Sequence, residues 1–225
     1  MLYGKLSNES EQYQKAREEL LKAEMALRDQ RERVSELRRG LPLDTQIDDY
    51  LFHEGPSDLE QDSPIADVRL SELFTDPGKP LLLYQYMFGG AQKESCPMCA
   101  MWTDGFNAIA PHLNQLVNFA VVAQGEITDF RSWARQRRWN NLRLISSAGS
   151  SFKTDLSFQD HNEEQLPGVS VFMIADDGSL RHFYSASAIM EENEYRGLDL
   201  FTPVWNLLDL TPDGRGDWFP AVQYD

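Results

Sequence analysis

The chain has 225 residues, is 41% hydrophobic and carries a formal net charge of −15, with 21 Lys+Arg against 36 Asp+Glu. A field of that sign repels phosphate backbones and anionic bilayers, which argues against nucleic acid and membrane surfaces as partners. The length allows a buried core without covalent staples, and Cys96 and Cys99, the only two cysteines, cannot form a disulfide framework.

The N-terminal stretch MLYGKLSNESEQYQKAREELLK lacks the apolar centre of a signal peptide. The longest apolar runs, such as 80-PLLLYQYMF-88, are too short to span a bilayer. These features imply a cytoplasmic chain in a reducing compartment. Residues 1–40 are almost neutral, so the remainder carries a net charge of −16.

Residues 8–39 contain no Gly or Pro and predict one amphipathic helix, stopped by Gly40 and Pro42. Leu6, Tyr13, Leu20, Leu27, Val34 and Leu41 recur every seven residues. The parallel seam of Ala16, Ala23 and Leu37 is broken by Gln30. Two readings follow: a helix laid on its own domain, favoured by the weak seam, or an arm through which two copies pair. Residues 42–66 are acidic and punctuated by Pro and Gly, and read as an irregular connector. The organisation predicted is thus an N-terminal helix (1–41), a connector (42–66) and an α/β domain (67–225).

Within that domain, 68-VRLSELF-74 is a small leading element and 81-LLLYQYMF-88 a strand buried on both faces. A loop, 89-GGAQKES-95, leads to a helix over 97–116, whose apolar residues recur at helical spacing. A strand at 119–124, a helix at 126–139 and a short strand at 142–146 follow, then the loop 146-SSAGSS-151. The runs 169-VSVFMIA-175 and 180-LRHFYSA-186, joined by Asp176-Asp177-Gly178, predict a hairpin. A last helix is expected at about 198–208. Crossover helices with a hairpin imply a mixed sheet flanked by helices.

The chemistry concentrates in 94-ESCPMCAMW-102. A bridge between Cys96 and Cys99 would close a tiny loop and contribute little stability, so the pair points to chemistry. Cys96 falls at the start of a helix, where unpaired N–H groups and the dipole favour a thiolate. Cys99 lies one turn on, placed to resolve a mixed disulfide formed at Cys96. Pro97 suits the first helical position, where its missing N–H costs nothing. Glu94 and the acidic body oppose thiolate formation, and Lys93 is the cation nearest in sequence. The competing readings are two inert buried thiols, or zinc. Cys96, Cys99 and His112 have the spacing of three finger ligands, but no fourth follows, and His112 lies about four turns along the same helix. His53, His161 and His182 read as ordinary loop or strand residues.

The order of elements around CPMC resembles the thioredoxin fold. More closely, the chain resembles the bacterial thioredoxin-like family catalogued as domain of unknown function 899. The resemblance is carried by RRGLP, YMFG, CPMCAMWTDGF, ISSAGSSF, PGVSVF and LLDLTPDGR. It implies a dithiol site with Cys96 attacking and Cys99 resolving. It also implies a cis proline before the third core strand, for which Pro167 is the candidate, forming a substrate groove with Pro97 and Met98. Trp102 is expected in the core. The function so implied is a thiol–disulfide oxidoreductase that needs no bound cofactor or metal and exchanges electrons with a protein or low-molecular-weight thiol. The alternatives are a non-catalytic binding module and a thiol-dependent peroxidase. Lys93 stands where a peroxiredoxin carries its threonine, and 81–88 holds no counterpart of the buried acid of thioredoxins.

Overall fold

The computed structural model describes residues 6–90, 94–190, 196–197 and 199–224, and the chain divides into two compact units, Met1–Pro42 and Leu43–Asp225. In the first unit, α1 (Glu11–Arg39) starts at Ser10, whose hydroxyl accepts from the Tyr13 N–H. That bond satisfies one of the donors a helix start leaves unpaired. The helix stops at Gly40, whose N–H returns to the Glu36 carbonyl. No residue of α1 is buried, and Tyr13, Leu20 and Leu27 of the seven-residue seam are exposed.

The second unit is built on β1 (Thr45–Gln46), β2 (Leu51–Glu54), β3 (Ala66–Arg69), β4 (Leu81–Gln85), α2 (Pro97–Leu113), β5 (Asn118–Ala123), α3 (Ile127–Arg137), β6 (Leu144–Ser146), α4 (Phe152–Asp155), β7 (Gly168–Ile174), β8 (Leu180–Ser187) and α5 (Val204–Leu208). Among the described residues the strands form one eight-stranded sheet in the order β1-β8-β7-β4-β5-β6-β2-β3. β4, β5 and β6 run parallel, as the crossover helices α2 and α3 require. β7 joins β4 antiparallel and β8 folds back on β7. Their turn closes with the Gly178 N–H on the Ala175 carbonyl at 2.8 Å, and Gly178 takes a φ of +80° that a side chain would strain. The expected mixed sheet and hairpin are both present.

β4 shows why a continuous apolar run becomes the central strand. Successive side chains point to opposite faces. Leu81 and Leu83 join Phe52, Phe152 and Phe172 in one core layer. Tyr84 and Tyr86 join Trp102, Phe130 and Trp139 in the other.

Residues 42–66 are not an irregular connector. β1 pairs with β8, and β2 pairs with both β3 and β6. The loop-like composition misled because β2 is only four residues long and buries Phe52 alone, leaving its other residues exposed or half-buried. Glu54 on β2 holds Arg143 through paired contacts of 2.7 and 2.8 Å. The final helix is also shorter than expected: Pro203 is its cap and α5 begins at Val204, while Leu198 lies outside the described residues.

The segment after β2 is fastened to α3 by a buried guanidinium. Arg131 donates to the carbonyls of Pro56, Asp58 and Gln61 at 2.8, 2.9 and 2.8 Å, and Leu59 from the same segment enters the layer of Tyr84 and Tyr86. Replacing Arg131 with Met strips the carbonyls of Pro56, Asp58 and Gln61 of a charged donor. We expect a loss of about 3 kcal/mol in urea unfolding; a loss below about 0.5 kcal/mol would show that this clamp is dispensable.

Candidate functional site

Leaving β4, the chain turns through Phe88, Gly89 and Gly90 towards the cysteines. Gly89 adopts a φ of +84°, and a Cβ there would come within 2.1 Å of the Gly125 Cα. The Gly125 N–H donates to the Phe88 carbonyl at 2.9 Å. Two glycines are needed because two backbones meet where no side chain fits. Residues 91–93, Lys93 among them, lie outside the described residues.

Cys96 is the cap of α2, with extended backbone angles of −64° and 121°, and Pro97 occupies the first turn. Its sulfur accepts from the Cys99 N–H at 3.4 Å, the bond a Ser or Asp would make at this position. Both cysteines are free thiols, Cys96 half-buried and Cys99 buried. The Cys96 thiol is drawn down to about 7, chiefly by the hydrogen bond from the Cys99 thiol, then by the N–H groups of Cys99 and Met98, with burial opposing. Glu94, which the sequence set against thiolate formation, is not among the causes acting on it. Burial pushes the Cys99 thiol well above the ordinary range, and the neighbouring Cys96 adds to the rise. The two thiols are therefore split, one ready to ionise near neutrality and one held protonated.

Two tyrosines that the sequence reading passed over face this pair from β4 and its extension. The Tyr84 hydroxyl is fully buried and has no hydrogen-bond partner among the described residues; its place in the neighbourhood of Cys99 favours that thiol's ionised form. Tyr86 is bonded to Ser95, immediately before Cys96, and accepts from the Trp133 indole N–H at 2.9 Å. It thus ties the cysteine loop to α3. A period-two pair of tyrosines on the strand leading into a dithiol is a signal legible in 84-YQY-86.

Lys153 on α4 is the other unanticipated group. It is completely buried, and its ammonium donates to the Tyr86 carbonyl at 2.6 Å and the Gln165 Oε1 at 2.9 Å. Gln165 in turn donates to the Gly89 carbonyl at 2.8 Å. Burial lowers the lysine to about 7, and Cys99 opposes that fall. Nothing in 151-SFKTD-155 marks this lysine as buried, because lysine ordinarily lies at the surface.

The expected groove residues fare unevenly. Pro97 is half-buried at the start of α2. Met98 is only 4% exposed and packs in the core, so it does not line an open groove; the second helical position turns inward towards the sheet. Pro167 is buried immediately before β7, but its peptide bond is not cis: the cis bond among the described residues is Ser63–Pro64. The Pro167 carbonyl accepts from the Ala188 N–H at 3.0 Å, an ordinary lead-in to the β7–β8 pairing. Trp102 is fully buried, as expected. His112 sits in the last turn of α2, about 24 Å along the axis from Cys96. Among the described residues no cluster of three or more His, Cys, Asp or Glu side chains could hold a metal, and no helix is long and apolar enough to cross a membrane. A cleft of about 490 Å³ opens at the ends of β4, β5 and β6, between Gly89, Gly125, Glu126 and Gly149. Neither cysteine lines it.

A family model described as bacterial protein of unknown function (DUF899) matches residues 5–224. No curated protein matches. Among solved structures, the chain is similar to a protein of Burkholderia cenocepacia provisionally assigned as a thioredoxin reductase, with 14% identity and a TM-score of 0.51 over 71% of this chain and 94% of that one. It is also similar to a peroxiredoxin, with 14% identity and a TM-score of 0.50 over 72% of this chain and 98% of that one. At this identity the likeness establishes a thioredoxin-like fold.

Two outcomes follow from the buried groups. The folded values of Lys153 and Cys96 lie below those of an unfolded chain, so the unfolded chain binds more protons above about pH 7 and stability rises with pH. In Lys153→Met the lysine's share of that rise, roughly 2 kcal/mol by about pH 8.5, is absent from urea midpoints; equal slopes would contradict a buried, titrating ammonium. Tyr84→Phe removes a buried hydroxyl that has no partner in the reduced protein. We expect it to leave thermal stability unchanged or raise it by about 1 kcal/mol, whereas a clear loss would mean the hydroxyl is already bonded.

Proposed function

We propose that this chain, which belongs to the DUF899 family of bacterial proteins of unknown function, is a thiol–disulfide oxidoreductase. The observation that carries the reading is the Cys96 sulfur at the N-terminus of α2, accepting from the Cys99 N–H while the second sulfur waits one turn behind it. The low-lying thiol supplies the nucleophile, because the thiolate attacks and the thiol does not.

In the first step the Cys96 thiolate attacks one sulfur of a substrate disulfide. A bond forms between Cys96 and that sulfur, the substrate S–S bond breaks, and the departing thiolate takes a proton. In the second step Cys99 loses its proton and attacks the Cys96 sulfur, expelling the second substrate thiolate and closing the Cys96–Cys99 disulfide. Two electrons pass from the protein dithiol to the substrate, which leaves as two thiols. An external protein or low-molecular-weight thiol restores the dithiol, and the same steps in reverse oxidise a partner. The chemistry needs no cofactor.

Cys99 is suited to the second step. Held protonated by burial, it does not compete for substrate. Its ionisation is aided when the attack requires it by the Tyr84 hydroxyl and the Met87 N–H. Tyr86, through Ser95, holds the loop that carries Cys96.

The reading is tested by mixing the reduced protein with a model disulfide and following the products by intact mass. Wild type should end as the internal disulfide, Cys99→Ser should stop at a stable mixed disulfide on Cys96, and Cys96→Ser should fall to the background rate. Exchange that survives in Cys96→Ser, or no exchange by the folded wild type, would overturn it.

A further inference from the structure

We propose that α1 is a pairing arm. Two copies of this chain associate through it in antiparallel fashion, with Tyr13, Leu20 and Leu27 of one copy seated against Gln30, Ala23 and Ala16 of the other. The inference is independent of the chemistry at the cysteines.

The 29 residues of α1 make a rod about 43 Å long. Helices in folded proteins are held mainly by burying an apolar face, yet no residue of α1 is buried. Tyr13, Leu20 and Leu27 are 54, 51 and 54% exposed, and Ala16, Ala23 and Gln30 are exposed as well. Spacings of three and four alternate through these six residues, so they form one stripe along the helix, the pattern that two helices bury against each other.

Size chooses the direction of the pairing. In a parallel pair alike residues meet, leucine on leucine in one layer and alanine on alanine in the next, and the small layers are left underfilled. In the antiparallel pair, with Leu20 level with Ala23 of the second copy, both leucines face alanines, and the two-fold axis repeats each layer. Gln30, the polar break in the seam, then lies opposite Tyr13, whose hydroxyl is a partner for the amide. One polar layer of this kind sets the register of a helix pair.

Charge makes the same choice. The positions flanking a parallel seam set Glu19 beside Glu24 of the second copy and Arg33 beside Arg38, like against like. The antiparallel register instead sets Arg17 beside Glu24 of the second copy, once on each side of the axis. These two side chains already meet along one helix at 3.0 Å. Residues 9–24 hold five Glu against three Lys or Arg, and residues 25–39 hold five Arg against three Asp or Glu. Copies running in opposite directions bring the acidic half of one towards the basic half of the other.

Sedimentation equilibrium of the full chain over a wide range of concentration decides whether it pairs. Wild type should reach twice the 25.8 kDa of one chain. Leu20→Glu/Leu27→Glu keeps good helix formers but charges the seam, and should remain a folded monomer. Arg17→Glu should weaken the dimer about tenfold, and the swap Arg17→Glu/Glu24→Arg should restore it. Direction is read from nitroxide labels on Glu32→Cys in a Cys96→Ser/Cys99→Ser background. In the antiparallel pair the two labels should lie about 35 Å apart, since about 21 residues of helical rise separate them. A parallel pair would bring them within about 20 Å. A wild type that stays monomeric at every concentration, a dimer indifferent to the seam substitutions, a swap that restores nothing, or the short label distance would overturn the proposal.

Discussion

The site depends on one constraint: the sulfur of Cys96 takes the place of a capping oxygen at the start of α2. The first turn of any helix presents N–H groups without partners. Here a sulfur receives one of them, and the preference of that position for negative charge becomes a preference for thiolate. The same geometry fixes Cys99 one turn along, since a residue three positions after the cap lies on the same helix face. Pro97 sits between them without sacrificing a donor. The spacing, the proline and the helix start are thus one feature.

The sheet decides what each thiol feels. β4 runs into the cysteine loop, and its alternation sends Tyr84 and Tyr86 to the layer that α2 and α3 cover. On the other layer, α4 delivers Lys153 to the carbonyl at the end of the same strand. Cys99 is consequently buried among aromatic rings, which holds it neutral, while the Tyr84 hydroxyl and the Met87 N–H favour its ionised form.

Much of this was legible in the chain. Period-two and helical patterns located β4, α2, β5, α3 and the β7–β8 hairpin, because those elements bury apolar faces of useful length. CPMC at a strand-to-helix junction placed Cys96 at the start of a helix, where the structure has it. The strands β1 and β2 were hidden because each is short and contributes few buried side chains, so acidic and turn-forming residues dominated the reading of 42–66. Pro167 was over-interpreted from a fold resemblance: its place before β7 is as expected, its peptide geometry is not. Met98 turned inward for want of any local signal separating the two sides of a first helical turn. Lys153 could not be found by pattern at all. Its burial is set by contacts with residues 67 and 12 positions away, and lysine carries no apolar periodicity. The stretch 81–88 carries no acid; it carries Tyr84 and Tyr86, and Lys153 bonds to its Tyr86 carbonyl.

The account stands on the ionisation of Cys96. Following its thiolate as pH rises, in the Cys99→Ala protein and in the reduced wild type, measures that property directly. With both cysteines present the account predicts a midpoint near 7, moving upward when the Cys99 thiol no longer donates to it. A wild-type midpoint at the ordinary thiol value of about 8.5, insensitive to residue 99, would contradict it.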